Sequence, residues 1–181
     1  MSSERTLVVG YQGGPGAFSH MAAKRHFAAR AEAVTRGYAS FPAMLDALAA
    51  SEIDYAVLPI ENSIAGSIQQ SYDLLAKMDL HLVGEQIQPV AHCLIALPDV
   101  TVDELRTVIS HPVALAQCTR FIDAHENLHA EVYTDTALSV ERVKREGNRT
   151  LAAIASEEAA NIHGLPILAR DIADDPQNFT R

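Results

Sequence analysis

The chain has 181 residues, 48% hydrophobic and 20% charged, a globular balance with length enough for one large domain or two small lobes. Its 14 basic residues against 23 acidic ones leave a net charge of −9, which excludes the basic face that nucleic acid requires. The same charge denies an anionic ligand any long-range steering, so an anion site has to be built locally.

Apolar runs and turn signals alternate from the first residues onward. Residues 1–6 lead straight into a short apolar run, with neither a signal peptide nor a segment of membrane length, so a cytoplasmic protein without a membrane partner is expected. A first strand is predicted at Leu7-Val8-Val9, then a glycine-rich turn over 10–16 and an alanine-rich helix over about 17–30. A weak strand at 35–38 and a helix over 41–50 follow, the latter with Phe41, Met44, Leu45 and Leu48 on one face. A buried strand is predicted at 55–58, and a loop carrying Pro59 and Asn62 leads to a helix over about 66–77. Strands are expected at 80–83, 90–97, 107–109, 130–133, 151–155 and 166–169.

Between these strands, Pro112 suits the first turn of a helix running to about 124. A helix over 135–146 is stopped by Gly147. Ser156 reads as an N-cap, with Glu157 and Glu158 in the first turn of a helix that Gly164 stops. Alternation of this kind predicts an α/β fold with mostly parallel strands. Two long crossings, over 83–96 and 168–175, predict two α/β lobes with a cleft between them. Lobe one then covers about 1–82 plus 170–181, and lobe two about 83–169.

Several motifs resemble sites without meeting their physical requirements. His125-Glu126-Asn127-Leu128-His129 matches the H-E-x-x-H zinc pattern, but it starts at a helix end and runs into a strand, so its histidines diverge. No metal is expected. Gly14-Pro15-Gly16-Ala17-Phe18-Ser19 follows the first strand as a dinucleotide loop does. It has Ser19 in place of the third glycine, and no acidic residue ends the second strand. The turn still feeds a helix N-terminus, which attracts anions. Cys93 and Cys118, the only cysteines, each sit in an apolar run. They read as small core residues in a reducing cytosol.

Four segments place polar residues where strands end: 13–19, 59–67, 110–118 and 178–181. The first three lead into helices and bring orphan backbone N–H groups to their loops. Together the segments supply the neutral donors Asn62, Ser63, Ser110, Gln117 and Thr180 and one fixed cation, Arg181. This set suits a small, multiply anionic ligand. Gln117 lies about 200° around its helix from Leu115 and so faces a cleft while Leu115 faces the core. Taken singly, Ser63, Ser67 and Ser110 read as helix caps and Glu61 as a structural hydrogen-bond acceptor or an ion-pair partner.

These four segments, with His92-Cys93-Leu94, Asp135-Thr136-Ala137 and 152–156 in order between them, resemble the successive motifs of prephenate dehydratases. The resemblance spans nearly the whole chain. It implies two α/β lobes like those of type II periplasmic binding proteins, and conversion of prephenate to phenylpyruvate, water and carbon dioxide in phenylalanine biosynthesis. Aromatisation drives that reaction, so no cofactor is implied. Asn62, Ser110, Gln117 and Thr180 fall on the family's catalytic positions. Arg181, Glu61, Ser63, Ser67, His111 and the turn residues Ala17, Phe18 and Ser19 are expected to bind substrate.

Thr180 and Arg181 begin a Thr-Arg-Phe motif whose phenylalanine is missing here. The family's C-terminal ACT domain is expected to be missing from this chain too. A homodimer is implied by the resemblance. Two alternatives stay open on the residues themselves: a sister enzyme acting on arogenate to give phenylalanine directly, and a non-catalytic module that binds a small anion.

Overall fold

The computed structural model describes residues 6–30 and 33–181; the N-terminal segment read above as leader-free lies mostly outside them. In chain order the elements are β1 (Leu7–Gln12), α1 (Phe18–His26), β2 (Ala33–Tyr38), α2 (Phe41–Ala49), β3 (Tyr55–Val57), β4 (Glu61–Asn62), β5 (Gly66–Ser67), α3 (Gln69–Leu75) and β6 (Gln88–Pro89). They continue as β7 (Cys93–Ile95), β8 (Thr107–Ser110), α4 (Pro112–Ala116), α5 (Thr119–Asp123), β9 (His129–Val132), α6 (Thr136–Glu146), β10 (Leu151–Ala155), α7 (Glu157–His163), β11 (Ile167–Ala169) and β12 (Phe179–Thr180). No helix among the described residues is long and apolar enough to cross a membrane.

The chain divides into two compact units, both α/β. The first comprises the residues up to Gly13, Phe18–Pro89 and Phe179–Arg181; the second comprises Gly14–Ala17 and Val90–Asn178. The boundaries expected from the sequence lie near residues 82 and 170; those of the two units fall after Pro89 and Asn178.

In the first unit β1 is the middle of a parallel sheet ordered β2-β1-β3. Met44, Leu45, Ala47 and Ile53 form a core beneath it, and Val9, Ala23 and Phe27 form another. The apolar face predicted for 41–50 is therefore the buried one, and Ser40 caps that helix by accepting from the Ala43 N–H. A second, antiparallel sheet runs β5-β4-β12-β6. Its strands are two residues long and carry no readable period, and the helix expected over 66–77 begins only at Gln69. Gly66 instead opens β5 with φ +80°, paired with Asn62 across the hairpin. The expected strand at 80–83 does not form: Leu82 and Val83 are largely exposed, and no neighbour pairs with them.

The second unit holds a five-stranded sheet ordered β11-β7-β10-β8-β9. It departs from the mostly parallel expectation at β7, which runs antiparallel to both β10 and β11. β10 is buried along its whole length and separates two apolar clusters. Asp135 and Ser156 cap α6 and α7 at their starts, and Gly147 and Gly164 end them in left-handed conformations.

The helix predicted over 112–124 is broken into α4 and α5 by Asp174. The Asp174 N–H donates to the Gln117 carbonyl, and its carboxylate accepts from the Thr119 and Arg120 N–H groups. The acidic tail thus satisfies backbone groups on both sides of the break.

The glycine-rich turn has a packing reason. Gly16 has φ +91°, and a Cβ there would lie 2.5 Å from the Ala159 Cα at the start of α7. Its carbonyl accepts from Ser156 Oγ at 2.6 Å. Gly16→Ala is expected to cost about 1–3 kcal/mol, visible in urea unfolding, because backbone as well as side chain must yield.

Candidate active site

Of the sequence-derived site residues, Glu61, Asn62, Ser63, Thr180 and Arg181 are joined in the first unit, and Ser110, His111 and Gln117 belong to the second. In the first, Asn62 is buried at the end of β4, and four hydrogen bonds fix its carboxamide. Oδ1 accepts from the Ile64 and Ala65 N–H groups at 3.0 and 2.8 Å, closing the turn. Nδ2 donates to the Phe179 carbonyl at 3.1 Å and to Thr180 Oγ1 at 3.0 Å. Because an amide nitrogen only donates, the Thr180 hydroxyl is an acceptor toward Asn62, and its own proton must point elsewhere.

β12 is held there by backbone bonds on both flanks. Thr180 pairs with Asn62 on one side and with Gln88 on the other. Ser63 accepts the Phe179 N–H on its Oγ at 2.9 Å and so acts as a strand clamp, not a helix cap. Arg181 donates its N–H to the Glu61 carbonyl, and its guanidinium meets the Glu61 carboxylate at 2.9 Å and that of Glu85 at 3.8 Å. All three side chains are about half exposed, so these pairs contribute little to stability. They do leave the cation where an incoming carboxylate can compete for it. Ser67 lies exposed in β5, and Phe18 and Ser19 open α1 partly buried. Ser71, which no sequence signal marks, is fully buried and donates to the Pro59 carbonyl at 2.6 Å.

The second cluster lies at the ends of β7 and β8. Ser110 is fully buried, and its Oγ donates to the Ile154 carbonyl at 2.6 Å, tying β8 to β10 instead of capping a helix. Gln117 follows α4 and is only 7% exposed, more enclosed than an open cleft position. Its Oε1 meets His92 Nε2 and Asn178 Nδ2, each at 2.9 Å. In the sequence both residues stand only as members of motif segments, His92 in His92-Cys93-Leu94 and Asn178 in 178–181, and no spacing joins either to Gln117.

His111 caps α4 by accepting the Val113 N–H on Nδ1. Burial holds its pKa below the ordinary histidine value, although the Asp135 charge pulls it upward. Burial raises the Asp135 carboxyl, against the opposing pull of the Leu138, Gly14 and Ala137 N–H groups and His111. Ala17 is buried in the core of this unit, which leaves it a structural place in the turn. A cavity of about 390 Å³ opens beside His111, Pro112, Val132, Tyr133 and Thr134.

Of the misleading motifs, His125 stands just past α5 and bonds the Phe121 carbonyl, while His129 begins β9, so the pair shares no helical face. Both thiols are buried; burial lifts Cys93, and lifts Cys118 to about 12 with the Asp174 charge adding to it. Neither is a thiolate near neutrality.

His92 carries a pH prediction. Burial lowers its pKa below 6.5, with the Gln117 hydrogen bond opposing the shift. As pH falls, the unfolded chain therefore takes up this proton first. The stability His92 supports is whole above about 6.5 and is lost as pH drops through its lowered folded value. Asp135, with its pKa raised, acts in the opposite sense at lower pH. Urea midpoints measured between pH 7 and pH 5 are expected to decline, and less steeply in His92→Gln.

A family model described as prephenate dehydratase matches residues 9–181. Arogenate dehydratase 1 of Petunia hybrida is 46% identical over 177 residues, covering 97% of this chain and 41% of that protein. Among solved structures, the prephenate dehydratase of Arthrobacter aurescens in complex with L-Phe is similar at TM-score 0.86 and 28% identity, covering 96% of this chain and 59% of that one. A structure described as GqqA, a novel type of quorum quenching acylase, is similar at TM-score 0.82 and 35% identity, covering 96% of this chain and 61% of that one. The chain spans less than half the length of the Petunia relative and about three-fifths of each of the two structures.

Proposed function

Because the chain belongs to the prephenate dehydratase family, we propose that it catalyses the decarboxylating dehydration of prephenate to phenylpyruvate. The bond from the ring to its carboxylate breaks, and carbon dioxide leaves. The electron pair moves through the ring and expels the hydroxyl on the far side, which takes up a proton and departs as water. Aromatisation supplies the driving force, so the protein has to orient a dianion and assist one leaving group.

The observation that carries this reading is the 3.0 Å bond from Asn62 Nδ2 to Thr180 Oγ1. It occupies a lone pair of the hydroxyl and frees the O–H to donate to the departing oxygen. Threonine is a weak acid, so a directed hydrogen bond is its main contribution, with the proton drawn finally from water. Asn62 acts through Thr180. Arg181 exchanges its acidic neighbours for a substrate carboxylate. Ser110, Gln117, His111, Ser63, Ser67 and the 17–19 turn complete the binding of substrate in this proposal, Ser110 by holding β8 and Gln117 by donating a hydrogen bond.

An acylase needs a nucleophile beside a base that takes its proton. Thr180 is held instead by an amide, which cannot serve as a base. Arogenate carries an amino group where prephenate carries a keto group, and the ring chemistry is common to both. The two are separated by kcat/KM measured side by side, with prephenate expected to be preferred. A higher value for arogenate assigns the chain to the sister reaction, and binding without turnover of either overturns the enzymatic reading.

A cytoplasmic homodimer belongs to the same proposal. Two buried cysteines suit a reducing compartment. Sedimentation of the purified protein at twice the chain mass is the expected result for the dimer.

A further inference from the structure

Resting on the reading just given, we propose that the cavity beside His111 receives the ring carboxylate of prephenate, the one that leaves as carbon dioxide, and that His111 orients it through a neutral N–H. The two carboxylates of the substrate need opposite treatment. The side-chain carboxylate keeps its charge throughout, so a cation such as Arg181 binds it equally before and during reaction. The ring carboxylate gives up its charge as its bond to the ring breaks. A cation beside it stabilises the starting state more than the transition state and slows the reaction. Its place is therefore an uncharged one, with apolar walls and a neutral donor.

The cavity in the second unit has that character. Its volume of about 390 Å³ lies in the range that small ligands occupy. It is lined by His111, Pro112, Val132, Tyr133 and Thr134, with no carboxylate, lysine or arginine among them. β8 and β9 run parallel, and the lining consists of the residues that end or follow these two strands. The C-terminal ends of parallel strands are where α/β sheets receive ligands.

His111 supplies the donor. Its Nδ1 accepts the Val113 N–H at 3.3 Å, so in the neutral ring the hydrogen is carried on Nε2. Burial favours the neutral ring near pH 7, against the pull of the Asp135 charge. The charged groups close by are committed elsewhere. Arg142 stacks on the Tyr133 ring at 5.1 Å, but its guanidinium is taken by Glu131 and Glu146 at 2.7 Å each. Asp135 Oδ1 accepts from the Leu138 and Gly14 N–H groups at 2.9 and 3.5 Å.

The test sets a cation at the rim of the cavity. Val132 is 63% exposed at the end of an edge strand, a position that accommodates lysine without loss of fold. Val132→Lys is expected to lower KM for prephenate about threefold and kcat about tenfold, because the added charge holds the carboxylate more tightly before its bond breaks than during the break. In Val132→Met, which matches the length without the charge, KM is expected not to fall. Phenylpyruvate, which lacks the ring carboxylate, is the second probe, and its inhibition constant is expected to be the same in Val132→Lys as in the unmodified chain. Phenylpyruvate tightened as much as prephenate, or a lysine variant whose kcat is undiminished, overturns the proposal. A chain that binds prephenate in calorimetry without converting it sinks the functional reading. Tighter prephenate binding by its lysine variant, with no gain for phenylpyruvate, still assigns the ring carboxylate to the cavity.

Discussion

Thr180→Val is expected to lower kcat by about 10²–10⁴-fold while KM for prephenate changes little. Valine keeps the shape and branching of threonine, and β12 is bonded through its backbone to β4 and β6. The strand therefore stays in place. What disappears is the acceptor for Asn62 Nδ2 and the hydroxyl proton directed at the leaving group. Asn62 retains its bond to the Phe179 carbonyl, so the cost in stability is that of one hydrogen bond, about 0.5–1.5 kcal/mol. The two losses differ enough to be separated in one preparation, by stopped-flow or steady-state kinetics beside urea unfolding. Thr180→Ser, which restores the hydroxyl on a freer side chain, is expected to regain much of the rate. Turnover by the valine variant close to that of the unmodified chain removes Thr180 from the chemistry.

Asn62→Ala is the second large effect, and it strikes fold and rate together. Alanine removes both donors to β12 and orphans the Ile64 and Ala65 N–H groups. The stability loss is expected at roughly 2–4 kcal/mol, combining lost bonds with unsatisfied backbone. The rate is expected to fall by about tenfold to a hundredfold at temperatures where the variant remains folded, because the Thr180 hydroxyl is no longer oriented.

Asn62→Asp separates the two roles. One carboxylate oxygen still accepts from Ile64 and Ala65, so part of the stability returns. The other oxygen draws the Thr180 proton toward itself and away from substrate. The aspartate variant is expected to be more stable than the alanine variant and no more active. An aspartate variant with near-normal turnover contradicts the part given to this amide.

Much of the α/β frame was legible because its signals are local. The run 151–155, a leucine, an isoleucine and three alanines, is apolar throughout, and it forms the buried strand β10. Ser156, Gly147 and Gly164 are helix boundaries whose chemistry is contained in two or three residues. What escaped depends on partners far along the chain. The strands β4, β5, β6 and β12 have two residues each and no hydrophobic period. β4, β6 and β12 come together because Thr180 pairs with Asn62 on one side and Gln88 on the other, and β5 turns back on β4. Asp174, 55 positions from Thr119, breaks a helix that its own sequence would continue.

The same distance limits the site. The polar residues near strand ends were visible one segment at a time, but Asn62 and Thr180 lie 118 positions apart, and no spacing rule links them. Gln117 was legible as a polar residue on a helix. Its enclosure by His92 and Asn178 was not, because that follows from how β7 and the chain before β12 return to the end of α4. Ser110 and Ser63 have the local sequence of helix caps, and their bonds to Ile154 and Phe179 depend on the strands being in register.

The most direct measurement is single-turnover conversion of prephenate by the purified chain, following phenylpyruvate and carbon dioxide together, with Thr180→Val run in parallel. The expected result is one equivalent of each product per equivalent of prephenate consumed, with the valine variant slower by about a hundredfold or more. Prephenate that binds and is recovered unchanged, or equal rates from the two proteins, contradicts it.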